Sequence, residues 1–197
     1  MTSILPDRKR RLAWRTLMLT APLALAATGA LLPALAADAP APALERRVKA
    51  AFLYKFLGYA EFPAGAFDAA SGPLVIAVAG SDEMALELGR IAAGRVVAGR
   101  PILVRRVLEG EPATPAHLLF VAGSDNERAA RILRAAPGAW LTVTECEAGL
   151  RLGSVINFRI VDERVRFDVS LDAADKKNVK LSSRLLTVAN RVQKGGA

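Results

Sequence analysis

The residue pattern specifies a single small α/β domain, a mixed β-sheet flanked by helices with a C-terminal antiparallel hairpin and a closing helix. Short apolar runs of strand length alternate with stretches whose apolar residues recur every three or four positions, and such alternation builds a sheet with helices packed on it. On both sides of Asp162-Glu163 the period changes to two, the mark of antiparallel strands joined by a tight turn. With 197 residues, 52% of them hydrophobic and 23% charged, the chain has apolar surface for one core and length for little more.

The first 36 residues stand apart from this pattern. Arg8, Lys9, Arg10, Arg11 and Arg15 carry positive charge, residues 17–36 are almost wholly apolar, and Ala34-Leu35-Ala36 offers the small-x-small pattern that signal peptidase accepts. Residues 1–36 therefore read as a cleavable export signal, residues 37–43 as an Ala/Pro linker and residues 44–194 as a domain that works outside the cytoplasm. An uncleaved anchor is the competing reading of so long an apolar run. Pro22, Gly29 and Pro33 favour cleavage, because helix breakers suit a processed signal better than a span. Without the leader the formal charge of +8 falls to +4, and the remaining basic residues are scattered, which argues against nucleic acid as a partner.

Within the domain, Leu44, Val48, Ala51, Phe52 and Phe56 recur at helical spacing over residues 44–57, with Glu45, Arg46 and Lys49 mostly on another face. Residues 74–79 form an apolar run between Gly72-Pro73 and Gly80, a buried strand, and Ser81 or Asp82 can cap a helix over 82–92. Residues 102–107 and 118–122 read as the next strands, 126–135 as a helix, 140–143 as a strand and 145–151 as a short helix. In the hairpin of 155–161 and 164–171, Ile156, Phe158, Ile160, Val165, Phe167 and Val169 should face the core, and Asn157, Arg159, Arg164, Arg166 and Asp168 the other side. A helical turn over 172–177 and an amphipathic helix over 182–193, with Leu185, Leu186 and Val188 inward, close the domain.

Groups suited to catalysis are sparse. His117 is the single histidine and falls at the start of a strand, a position that suits a structural role, so no catalytic residue is assigned. The single cysteine, Cys146, excludes an internal disulfide; it reads as a small half-buried side chain or as a thiol for an intermolecular bridge. No spacing of His, Cys or carboxylates suggests a metal site, and no cofactor fingerprint is present. Gly80-Ser81 and Gly123-Ser124 each follow a strand and precede a helix, where backbone N–H groups hold an anion or merely form a capped turn. The basic outer face of the hairpin reads as a solvated face or as a docking patch. Tyr54, Tyr59, Phe62 and Phe67 gather the domain's densest aromatic surface around the end of the first helix, which suits a partner interface as well as a core.

Several segments occur in a telling order: Val48 to Phe56, Glu61-Phe62-Pro63, Gly99-Arg100-Pro101-Ile102, His117 to Val121, Ile156-Asn157-Phe158, Arg164 to Val169 and Leu181 to Leu186. Together they resemble the YfiR-like family of periplasmic regulators. The resemblance implies an α/β fold and a non-enzymatic, homodimeric repressor without cofactor. Such a repressor restrains an inner-membrane signalling protein, a diguanylate cyclase or a sensor kinase, and is itself sequestered by an outer-membrane-associated lipoprotein. Its release would raise cyclic-di-GMP and favour biofilm formation. Relatives often carry Trp at the position of Phe62, Asn at that of Lys55, and in some cases a cysteine near Ala116; this chain departs from them there, and disulfide control does not carry over. The alternative reading is a periplasmic sensor or transport accessory that binds a small molecule at Gly80, Ser81, Gly123 and Ser124.

Overall fold

Helix α1 (Ala41–Tyr59) opens the part of the chain that the computed structural model describes, residues 41–67, 72–110, 115–135 and 139–195. The expected export signal lies outside those residues. The helix starts three residues earlier than its periodicity predicts, because Pro42 sits in the first turn, where a missing N–H removes no helical hydrogen bond. Its inward stripe is Lys49, Ala50, Leu53, Phe56 and Leu57, so the face is rotated from the expected one. Leu44 is 56% exposed, and Lys49, expected to point outward, is buried.

The chain continues through β1 (Ala60–Glu61), a short 3-10 turn at Ala64–Ala66, β2 (Leu74–Ala79), α2 (Asp82–Ala92), β3 (Val96–Val97), β4 (Arg100–Val107), β5 (Ala116–Val121), α3 (Asn126–Ala135) and β6 (Ala139–Thr144). It ends with β7 (Ile156–Val161), β8 (Arg164–Ser170), α4 (Leu171–Lys176), β9 (Lys180–Leu181), α5 (Ser183–Val188) and β10 (Arg191–Gln193). Eight strands form one mixed sheet in the order β10-β8-β7-β6-β5-β2-β4-β3, and β1 pairs with β9 in a small antiparallel ribbon. From β7 to β4 the neighbours run parallel, as buried apolar strands joined by crossovers should. After β4 the chain crosses to the other side of β2, so the order reverses at the carboxyl ends of β2 and β5, where a crevice opens.

Side-chain alternation splits the core. Ile76, Val78, Leu118 and Phe120 face α1 and α2, while Ala77, Ala79, Leu119 and Val121 meet Ala129 and Ile132 of α3 and Cys146. Four phenylalanines join the first helix to the hairpin: Phe56 lies 5.9 Å from Phe158 and 5.0 Å, edge on, from Phe167, with Phe52 beside them. The hairpin turn puts Asp162 and Glu163 at φ of 47° and 58°, the left-handed geometry of a two-residue turn that matches strand twist.

Three further expectations are overturned. The short helix expected over residues 145–151 is replaced by a chain of turns over 147–153, in which Gly149 packs so tightly on Thr144 and Asn157 that a Cβ there would lie 2.1 Å from the threonine Oγ1. Asn157 lies on the other side of the hairpin, as expected, but is buried there, donating from Nδ2 to the Cys146 carbonyl and accepting from Thr144 Oγ1 at 2.7 Å. Ile160, expected inside, is 53% exposed beyond the reach of the core near the hairpin tip. The closing helix stops at Val188, itself 60% exposed, since Ala189 turns to extended backbone and the Asn190 N–H bonds the Phe167 carbonyl, seating β10 parallel to β8.

Candidate functional site

Two regions hold the residues singled out by the sequence. At the switch point, Gly80 and Gly123 both adopt positive φ (88° and 102°), and the Ala122 N–H donates to the Ala79 carbonyl, so the two turns lie side by side. Gly80 has to lack a side chain: a Cβ there would stand 2.4 Å from the Arg128 guanidinium and 2.9 Å from the Ala122 carbonyl. Ser81 serves as the N-cap of α2, its Oγ accepting from the Met84 N–H at 3.1 Å. The corresponding cap of α3 is Asp125 rather than Ser124, with Oδ1 accepting from the Glu127 and Arg128 N–H groups.

Sequence reasoning missed the residue that fills this crevice. The Gly123 N–H donates to Glu145 Oε1 at 2.6 Å, so the protein's own carboxylate takes the place an anion would have there. The other oxygen of Glu145 accepts from Lys49 Nζ at 2.5 Å, and the same ammonium bonds Glu45 one helical turn back. Burial opposes the Lys49 charge, but the two carboxylates outweigh it and hold the lysine above its ordinary pKa. The remaining space is a crevice of about 170 Å³ bordered by Glu45, Lys49, Ser81, Phe120, Ala122 and Glu145. The Glu45/Lys49 spacing of four was the only signal in the sequence, and an ordinary surface pair gives the same one.

The four aromatic candidates divide between separate surroundings. Tyr54 lies under the Arg95 guanidinium at 5.3 Å from its ring centroid. Tyr59, at the end of α1, is 38% exposed. Phe62 and Phe67 meet edge on and both contact the His117 ring, at 5.5 and 4.8 Å, with the Arg100 guanidinium 3.9 Å over Phe67. His117 is buried and its Nδ1 accepts from the Val75 N–H, which extends the β2–β5 ladder by a side-chain bond and accords with a structural role. Phe62 and Phe67 thus form a half-buried aromatic and cationic cluster, while Tyr59 offers open surface.

Cys146 is fully buried rather than half-buried, and burial pushes its thiol pKa up, which suppresses the reactive thiolate. Among the described residues no group of three His, Cys, Asp or Glu is placed to hold a metal ion. No described helix is long and apolar enough to cross a membrane.

The family described as YfiR/HmsC-like matches residues 46–190, well over half of the chain, from the first helix to the approach to the last strand. The chain belongs to this family. No curated protein matches it.

Proposed function

We infer that this protein is a periplasmic, non-enzymatic regulator that binds a membrane signalling protein, most specifically a diguanylate cyclase, and holds it in its inactive state. The observation that carries this reading is the family match over residues 46–190. A repressor needs a surface that prefers one conformation of its target, and it needs no reacting group. The surface around the end of α1 suits such a role, since Tyr59 is open to solvent and Phe62 and Phe67 lie half-buried just beyond it.

The small-molecule reading draws less support, because the Gly123 N–H is taken by Glu145 and the Ser81 hydroxyl is committed to capping α2. Deleting the gene should raise cellular cyclic-di-GMP, and complementation with the Tyr59→Ala variant should restore repression only in part while the protein accumulates normally. An unchanged cyclic-di-GMP level in the deletion strain under all growth conditions removes the cyclase as target. Full repression by the variant instead moves the contact surface away from Tyr59.

A further inference from the structure

The β7–β8 hairpin carries an arrangement that folding alone does not favour. Arg159 and Arg166 are direct cross-strand partners, so their side chains leave the same face of the sheet with Cβ atoms about 5 Å apart. Arg164 shares that face two residues along β8, and Arg191 joins it from β10, paired in register with Asp168. All four arginines are exposed, and none forms an ion pair among the described residues. Asp168, the carboxylate on this face in register with Arg191, offsets one of the four charges; it accepts from the Asn190 amide at 2.7 Å and forms no ion pair with the arginines, so the face keeps a positive excess. Arg159 reaches only the Glu147 carbonyl, at 3.5 Å. Like charges directly opposite each other weaken a strand pair, so this ladder is retained at some expense to the fold.

We propose that the outer face of the β7–β8–β10 edge is a docking surface for an acidic polypeptide segment of a partner protein. The chemistry selects carboxylates. All four cations are arginines, whose planar forks bind carboxylate oxygens in pairs and keep their charge at any physiological pH. A lipid surface fits less well, because the hairpin tip presents the exposed carboxylates of Asp162 and Glu163, which an anionic headgroup layer would repel. A polypeptide can place its acidic residues on the arginines and leave the acidic tip uncovered. The face is distinct from the α1 surface and does not depend on the identity of the membrane target.

The test is binding of a fluorescein-labelled oligo-glutamate peptide to the purified protein, followed by anisotropy at low ionic strength. The Arg159→Gln/Arg166→Gln variant should bind roughly tenfold more weakly. A Lys176→Gln/Lys180→Gln variant removes the same charge from exposed positions elsewhere and should bind within about twofold of wild type. Thermal melting of the arginine variant should match or exceed that of wild type, since a repulsive pair is removed. Absence of peptide binding, equal losses in both variants, or a lower melting temperature in the arginine variant overturns the proposal. Preferential binding to phosphatidylglycerol vesicles that the same arginine variant abolishes also overturns it, in favour of a membrane surface.

Discussion

Lys49 shows how one side chain can tie remote parts of a sequence together. Its ammonium joins Glu45 on the same helix to Glu145 after β6, and Glu145 in turn holds the Gly123 N–H at the start of the α3 turn. Removing one partner of a largely buried pair strands the other, so Lys49→Met should destabilise the fold by about 2 kcal/mol, discounted for the part of both carboxylates that water reaches. In a double-mutant cycle with Glu145→Gln the double variant should lose less stability than the two single losses summed, and simple additivity would show that the pair is not coupled. The lysine pKa is raised in the folded state, so its stabilisation is complete below the unfolded lysine value of about 10.4 and fades as pH climbs through the folded value. Urea midpoints should therefore fall faster with alkaline pH in the wild type than in Lys49→Met. The residue was hard to read from sequence because only its packing tells a buried lysine from a surface one.

Elements with a continuous apolar run or a strong cap were legible: β2, α2 and α3 span the expected residues, and the hairpin appeared where alternation placed it. Elements set by tertiary contact were not. The ribbon of β1 and β9 and the edge strands β3 and β10 are two or three residues long, too short to show a period, and exist because a neighbouring backbone is there to pair with. The same reason hid the burial of Asn157, which comes from the turns at 147–153 rather than from its strand. Of the candidate site, Gly80 and Gly123 were found through their turns, whereas the carboxylate that engages one of them was out of reach. At the hairpin tip the turn geometry makes its own prediction. Glu163 holds φ of 58°, where a Cβ is strained and glycine is not. Glu163→Gly should therefore raise stability by about 1 kcal/mol in chemical denaturation. A decrease would mean that the glutamate makes a contact worth more than the strain.

At the scale of the molecule, the lone thiol is a sealed probe. Cys146 is 1% exposed beneath the second face of the sheet, with its pKa pushed up by burial, so a thiol reagent should react with the native protein only as fast as the fold opens. Labelling by Ellman's reagent should be slow in buffer and immediate in denaturant, and fast stoichiometric labelling of the native protein would show that the turns over Cys146 open locally.

The phenylalanine stack sets the order in which such a fold can be completed. Phe52 and Phe56 emerge first in synthesis, yet their ring partners Phe158 and Phe167 follow about a hundred residues later. Until those arrive, the apolar stripe of the first helix has no hairpin to rest on, and the strand that borders β8 comes later still. Contacts so distant along the chain slow the search for the native state and leave oily surface uncovered meanwhile. A nascent chain cut short before the hairpin would therefore be a substrate for holding chaperones and proteases, not a smaller folded domain.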